Sequence, residues 1–254
     1  MSGSQPSARA SRYRKDYDMS YFLFNGVNSQ ALGLLVSRPV MRPSWAREVS
    51  EISAPGRTRK IMQQSKTYAN ANLTINTVIT DTDKLPDIYA ALSGYGPLQL
   101  SSRPEEYLNV YISPLVPEAV ALMTGELPIS CVCEPFANAV EPTVVTLSSG
   151  INLVNNAGSV FSAPEIRFTA TGEQVTVRVN GLDFIVDLTL ADQGKEIIID
   201  CENEVAYYIN DSQQMVSVNA QTFNDYPLLH TGENGVELIG TVSAATINVK
   251  ERWL

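Results

Sequence analysis

Hydrophobic and polar residues alternate with a period of two along much of the chain. In the segment ANLTINTV, Leu73, Ile75 and Thr77 fall on one side of an extended backbone, and polar residues fall on the other. The segment QVTVRV, at 174–179, places three valines on one side in the same way. Similar alternation occurs in EIRFT, EIIIDCE, MVSVN and ATINVK. This pattern, rich in β-branched residues, predicts half-buried antiparallel strands.

One segment, TDKLPDIYAALSGYG, has the spacing of a helix instead. Thr82 or Asp83 is suited to cap it, Pro86 is tolerated in a first turn, and Gly94 is placed to end it. The GYGP stretch is interpreted as the turn that follows. Its apolar stripe, which we expect to lie across a sheet, comprises Leu85, Ile88, Tyr89 and Leu92.

The periodicity breaks between Pro135 and Pro142, where EPFANAVEP is interpreted as a linker. Beyond it, short strand patterns recur between turn residues, as in a β-sandwich or jelly roll. We therefore predict a disordered extension at 1–18, with Met19 as an alternative start, a β-rich domain with one helix at 19–137, a linker at 138–142 and an all-β domain at 143–254.

Charge and composition narrow the possible partners. The 254 residues carry a net charge of −9, and the N-terminal extension has four cations against two carboxylates, which leaves −11 for the remainder. Such an acidic body is unsuited to neutralising a nucleic-acid backbone. No apolar run approaches the length of a membrane span, so no membrane partner is expected. Three cysteines, Cys131, Cys133 and Cys201, are expected to be reduced and buried.

No catalytic, cofactor-binding or metal site is predicted. The chain lacks the common nucleophile, phosphate-binding and zinc motifs, and its one histidine, His230, stands in a turn-like context. Asp200, Glu202 and Glu204 recur at period two, which suits either a glycosidase or calcium site or a solvated strand face. We favour the solvated face.

The basic cluster in PGRTRK contains Arg57, Arg59 and Lys60. It could contact nucleic acid, reach a neighbouring subunit, or form a solvated hairpin tip. Because the rest of the chain is acidic, a neighbouring subunit is preferred to nucleic acid.

The order of several short motifs resembles the distal tail proteins of long-tailed bacteriophages. In the first half these motifs are Phe22-x-Phe24-Asn25-Gly26, Ser29, Leu32-Gly33-Leu34, Pro55-Gly56-Arg57, Tyr68, the helix around Ile88 and Pro135-Phe136. In the second half they are Asn156-x-Gly158, Pro164-x-Ile166, Ile199-Asp200, Pro227-x-Leu229, Gly232 and Asn234.

The resemblance implies a mainly β structural protein of the virion, not an enzyme, assembled in the host cytoplasm. Its first domain would resemble tail-tube subunits and form a homohexameric ring, and its second would be a galectin-like β-sandwich. The ring would join the tail tube protein to a tail-tip or baseplate hub, a lysin-like protein, and DNA would pass through its lumen. The second half lacks the His-x-Asn-x-Arg and Trp-x-x-Glu sets of sugar-binding galectins.

Within this resemblance, five residues are candidate contacts between subunits: Phe22, Phe24, Arg57, Arg59 and Lys60. We expect Tyr21–Phe24 to form a strand whose aromatic residues anchor the ring domain. Asn25-Gly26 would reverse the chain, and Leu32–Val36 would return it to the same sheet. A carbohydrate- or receptor-binding module and a carboxylate-dependent glycan hydrolase remain as alternatives.

Overall fold

The computed structural model describes residues 20–53, 55–56 and 58–254, apart from the side chain of Lys66. The predicted extension at 1–18, Met19 and Arg57 lie outside the described residues. The chain divides into two compact units, one over Met1–Val140 with Leu254 and the other over Glu141–Trp253.

The first unit is built on one large antiparallel sheet. The strands of this unit are β1 (Phe22–Phe24), β2 (Val27–Asn28), β3 (Leu34–Val36), β4 (Arg47–Ile52), β5 (Ile61–Tyr68), β6 (Ala71–Ile79), β7 (Gly94–Leu100), β8 (Arg103–Ile112) and β9 (Glu126–Ala139). Its helices are α1 (Leu85–Ala91) and α2 (Glu118–Thr124). The main path of the large sheet has the order β2-β1-β7-β8-β9-β6-β3, whereas β4 and β5 pair only with each other. Alternate residues of the large sheet enter a core that is completed by Leu85 and Ile88 of α1 and by Leu92, which follows it.

The first helix begins and ends differently from the prediction. A 3₁₀ turn at Thr82–Lys84 precedes it, and the Oδ1 atom of Asp81 accepts a hydrogen bond from the Asp83 backbone N–H at 3.1 Å. The helix ends at Ala91, and Gly94, at φ 82°, opens β7 instead of capping the helix. Of the predicted stripe, Leu85, Ile88 and Leu92 are buried, and Tyr89 packs against the same core but is only partly buried.

The prediction of a single helix was wrong, because Glu118–Thr124 forms a second one. It follows Pro117, contains good helix formers and ends at Gly125, whose φ of 69° is the left-handed conformation that terminates many helices. Only Ala121 of this helix is buried, so it lacks the amphipathic stripe from which the first helix was predicted.

The break predicted at Pro135 and the start of the predicted linker at 138–142 are corrected, because β9 continues to Ala139 and only residues 140–142 separate it from the strand that begins at Thr143. Leu108 pairs with Ala137 and Val110 with Cys133, so β9 uses two more residues than β8 over this stretch. Phe136, at φ 75°, lies within this bulge. A bulge accommodates Pro135, which has no N–H to donate to a ladder, and so the strand continues without regular alternation.

The second unit contains two antiparallel sheets around one apolar core. Its strands are β10 (Thr143–Thr146), β11 (Gly150–Asn156), β12 (Glu165–Ala170), β13 (Gln174–Val179), β14 (Leu182–Asp187), β15 (Glu196–Asp200), β16 (Val205–Ile209), β17 (Met215–Ser217), β18 (Thr222–Phe223), β19 (Gly232–Ile239), β20 (Val242–Val249) and β21 (Arg252–Trp253). The sheet orders are β10-β20-β12-β15-β16-β17 and β11-β19-β13-β14-β18. Both sheets contribute buried residues to one cluster, among them Phe168, Val177, Phe184 and Ile247. The mainly β fold predicted from the alternation is confirmed.

Candidate assembly site

The opening segment forms a hairpin at one edge of the large sheet. Asn25 and Gly26 both have positive φ, 50° and 78°, as a two-residue hairpin turn requires. Ser29 closes the hairpin, because its backbone N–H donates to the Phe22 carbonyl at 3.0 Å and its Oγ accepts from the Phe22 N–H at 3.2 Å. Leu34–Val36 lies in the same sheet, at the opposite end of its main path.

The aromatic rings of Phe22 and Phe24 do not form a contact surface. Both side chains have 0% exposure and pack in the core of their own unit. The two rings are therefore unavailable to another subunit while this unit is folded, whereas Val27 on β2 is exposed. The sequence shows that alternate residues are apolar, but it does not show which core they fill.

Strands β4 and β5 form a hairpin without a sheet behind it. All six residues of β4 are exposed, and Ile52 pairs with Ile61 while Glu51 pairs with Met62. Four apolar side chains are exposed on it: Val49, Ile52, Ile61 and Met62. An isolated two-stranded hairpin is at best marginally stable in water, so this element is suited to acquiring a partner.

The base of this hairpin is held by aromatic contacts. The Arg47 guanidinium lies 5.3 Å from the centroid of the Tyr68 ring, and its Nε donates to the Tyr68 hydroxyl at 3.1 Å. Tyr68 in turn packs edge-on against Phe136, with 5.1 Å between ring centroids. The end of the hairpin nearest the core is thus fixed, and its far end projects from it.

Two of the three predicted basic contacts, Arg59 and Lys60, lie at the far end of this hairpin. Lys60 forms an ion pair with Glu51 across the two strands. Arg59 is exposed beside it, and Arg57 falls outside the described residues. Sequence reasoning missed the four apolar hairpin residues, although Val49 and Ile52 in REVSEI and the adjacent Ile61 and Met62 were the available signal.

The three carboxylates that were placed on one strand face lie elsewhere. β15 ends at Asp200, and the chain then turns. The Asp200 side chain accepts hydrogen bonds from the Glu202 N–H at 3.0 Å and from the Asn203 amide at 2.8 Å. Glu204 has a φ of 52° in the same turn. The period of two therefore came from a tight turn capped by Asp200, not from a strand.

Burial disfavours ionisation of Asp200, but the pKa of this carboxyl is lowered overall. Hydrogen bonds from the Asn203 side chain and backbone, the nearby Lys250 ammonium and the Glu202 N–H together outweigh the desolvation. Glu202 is paired with Lys250 and Arg252. These interactions stabilise the turn. They explain why the carboxylates lie close together, and no catalytic role is needed to account for it.

The cysteines are free thiols and all three are buried. Hydrogen bonding with the Cys133 thiol, together with burial, raises the pKa of Cys131, and burial raises the pKa of Cys201. Such thiols are poor nucleophiles at neutral pH. His230 is exposed in a loop, as the sequence indicated. Among the described residues, no group of three or more His, Cys, Asp or Glu side chains is arranged to hold a metal ion.

None of the helices in the described part of the chain is long and apolar enough to cross a membrane.

Comparison with known proteins points to one class, the structural components of phage tails and baseplates. Residues 157–253 match the family model described as the C-terminal domain of the siphovirus-type tail component. This match confirms, for the second unit, the resemblance to distal tail proteins seen in the sequence. No curated protein sequence matches the chain.

Solved structures extend the likeness in fold to nearly the whole chain. The SPP1 Dit (gp 19.1) protein, described as a paradigm of the hub adsorption apparatus in phages infecting Gram-positive bacteria, has a TM-score of 0.71 at 13% identity, over 93% of this chain and 100% of that one. A chain of the phage P2 baseplate in its activated conformation with Ca has a TM-score of 0.51 at 9% identity, over 91% and 97%. The corresponding structure with Sr gives 0.51 and 9%, over 92% and 98%. At these identities the likeness establishes the fold.

Proposed function

We propose that this protein is a non-enzymatic structural component of a phage tail tip, and that its first unit assembles with further copies into a closed hexameric ring. The ring connects the tail tube protein to the tail-tip or baseplate hub, and DNA passes through its lumen without specific binding. The family match of the second unit and the distal tail protein fold support this role.

The observation that carries the proposal is the exposed β4–β5 hairpin. Its strands pair only with each other, and Val49 and Met62, which the register places on one face, are 48% and 63% exposed. Apolar side chains on a projecting hairpin are stabilised when a neighbouring subunit covers them. A hairpin that is anchored at Tyr68 in one subunit and packs on a different surface of the next makes a head-to-tail contact. Such contacts close into a ring when a whole number of the rotations between successive subunits adds up to 360°.

Two further elements support contacts of the same kind. Within the described residues, β2 and β3 are the two ends of the main path of the large sheet, and both are very short. The unpaired N–H and C=O groups of such edges can be completed by a strand of the adjacent subunit. Val27 and Leu35 are exposed there, at 37% and 47%.

The outer face of the large sheet is suited to line the lumen. Over the central parts of β6, β7, β8 and β9 the partly or fully exposed residues alternate with the buried ones. This outward set consists of Asn72, Thr74, Asn76, Val78, Tyr95, Pro97, Gln99, Tyr107, Asn109, Tyr111, Pro128, Ser130, Val132 and Glu134. It contains one carboxylate and no lysine or arginine, so a DNA backbone passing along it meets no cation that would hold it.

A pair of matched variants tests the proposal. Val49→Lys with Met62→Lys places two hydrated charges on the hairpin face that is proposed to be covered, and Ile151→Lys with Leu153→Lys places the same charges on β11, where the native residues are 73% and 69% exposed. Electron microscopy and light scattering of the full chain should show rings for the native protein and the β11 variant, and smaller particles for the hairpin variant.

Rings of unchanged stability from the hairpin variant would contradict the proposed contact. Loss of rings from both variants would indicate a general effect of added charge and would contradict it equally.

A further inference from the structure

A concave site lies in the second unit, beside the tight turn that joins β13 to β14. Its volume is about 440 Å³, within the range of pockets that hold small ligands. One wall comes from the start of β14 and the other from the segment 224–230. The residues that line the cleft include Leu182, Phe184, Asp225, Tyr226, Leu228 and His230.

The two walls are fixed to each other by the buried side chain of Asn234. Its Oδ1 accepts from the Asn180 amide and from the His230 backbone N–H, both at 2.8 Å. Its Nδ2 donates to the carbonyls of His230 and Gly232, both at 2.8 Å. Asn180 forms the turn on one wall and His230 ends the other, so a single amide with 0% exposure sets the width of the cleft.

A further hydrogen bond, made by Asn224, connects the two walls of the cleft. The Asn224 side chain donates to the Asp183 carbonyl at 2.9 Å, and Asn224 itself has a positive φ of 70°. Asp183 is also held by Arg178, with contacts of 2.7 and 3.3 Å to its two oxygens. The cleft is therefore preformed, and little ordering is required when a ligand enters it.

The lining combines an apolar wall with unpaired polar groups. The rings of Phe184 and Tyr226 lie 4.7 Å apart, and Leu182 and Leu228 are 75% and 44% exposed at the mouth. Asp225 and the His230 imidazole also line the cleft. The side chains of both are without a hydrogen bond or ion pair to any other residue that the structure describes. Among the residues that the structure describes, no lysine or arginine lines the cleft, which disfavours phosphates and other anions.

We propose that this cleft binds a neutral saccharide. A sugar ring presents C–H groups on its faces, which match the leucine and aromatic wall, and hydroxyl groups at its edges, which can donate to the Asp225 carboxylate and exchange hydrogen bonds with His230. The site is separate from the proposed assembly hairpin, and it does not use the His-x-Asn-x-Arg or Trp-x-x-Glu sets that this chain lacks.

The test is saturation-transfer NMR on the full chain with glucose, galactose, N-acetylglucosamine and N-acetylgalactosamine as probes, each at millimolar concentration. At least one probe should receive saturation from the native protein. Asp225→Ala and His230→Ala should each weaken that binding about tenfold, since each removes a hydrogen-bonding group from a desolvated contact. Asp211→Ala, which truncates a 96% exposed carboxylate of the same unit, should leave it unchanged.

Absence of transfer to all four sugars would overturn the proposal, as would equal transfer to a sugar from the native protein and from both cleft variants. Transfer to arginine amide, used as a cationic probe, but to none of the sugars would overturn it in favour of a basic peptide partner. Thermal unfolding of each variant confirms that the fold is intact. Because binding is measured whether or not rings form, its outcome is independent of the proposed assembly.

Discussion

The two units of this protein differ in how completely the edges and apolar faces of their strands are covered within the unit. The second unit packs two sheets onto one core, and the strands of these two sheets pair with one another. The first unit has one large sheet with a core on one face, together with a hairpin that has no sheet behind it. The second unit therefore covers most of its strand surface within one chain, whereas the first leaves a hairpin and two short sheet edges that, in the proposed assembly, further copies of the protein would cover.

This difference separates folding from assembly. Residues that hold either core should affect the folding of their own unit, whereas residues of the hairpin should affect particle size with little effect on folding. Substitutions at buried and exposed positions in both units test whether folding and assembly separate in this way.

The largest effects should come from the two buried phenylalanines, Phe22 in the first unit and Phe168 in the second, both at 0% exposure. Truncation of either to Ala should cost about 3–5 kcal/mol, because it leaves a cavity in a packed core. Hydrogen exchange measured by segment should show loss of protection mainly in the unit that carries the substitution.

Phe223→Ala serves as the control, since this side chain is 50% exposed and its truncation should change protection little. Normal protection in Phe22→Ala, with loss of assembly alone, would show that this ring contacts a neighbour and would contradict its placement in the core.

Asn234→Ala should have the next largest effect, about 2–3 kcal/mol, because three partly buried backbone groups lose a hydrogen-bonding partner at once. Denaturant unfolding of the second unit measures it. Asn155→Ala, an exposed amide on the neighbouring β11, is the matched control and should change stability by less than about 0.5 kcal/mol. Equal effects from the two variants would show that the amide network does not hold the loops.

Gly125→Ala should cost about 1–2 kcal/mol in the first unit. Gly125 ends α2 at φ 69°, where a Cβ is strained even though no atom lies within 4 Å of its position. Gly235→Ala in the second unit is the control, because its φ lies outside the left-handed region and its nearest contact, the Ile151 Cγ2 atom, is at 3.6 Å. Thermal unfolding compares them, and a neutral Gly125→Ala would contradict the role of this glycine in ending the helix.

The smallest effect should be a pH dependence carried by Asp200. Its pKa is lowered in the folded state, so its contribution to stability is present above the ordinary aspartate pKa of about 3.9 and is lost as pH falls through the lower folded value. Asp200→Asn should therefore lose less thermal stability than the native chain between about pH 5 and pH 3. An equally steep loss in both proteins would show that other groups carry the acid sensitivity.

Most strands could be predicted from the sequence because their alternation is local. Leu73 and Ile75 on β6 and the valines of β13 are buried as their period of two indicates. The same rule misled at Asp200, Glu202 and Glu204, where hydrogen bonds to the Asp200 side chain form a turn with the same spacing. Pro135 concealed the continuation of β9, because a bulge removes the alternation while keeping the pairing.

The sites depend on contacts that a local pattern does not contain. That Phe22 fills the core of its own chain follows from its pairing with Leu100, almost eighty residues away. The cleft of the second unit is formed by β14 and the segment 224–230, and Asn234 joins its walls through Asn180, 54 residues earlier. Neither Asp225 nor His230 belongs to a sequence motif that predicts such a cleft.

The most direct test of the account is the mass and symmetry of the full-length protein in solution, measured by native mass spectrometry and electron microscopy over a wide range of concentration. The account predicts rings with a central hole and about six times the 27.8 kDa mass of one chain. A protein that stays at 27.8 kDa at every concentration, with amides of the β4–β5 hairpin protected from exchange within the single chain, would contradict it.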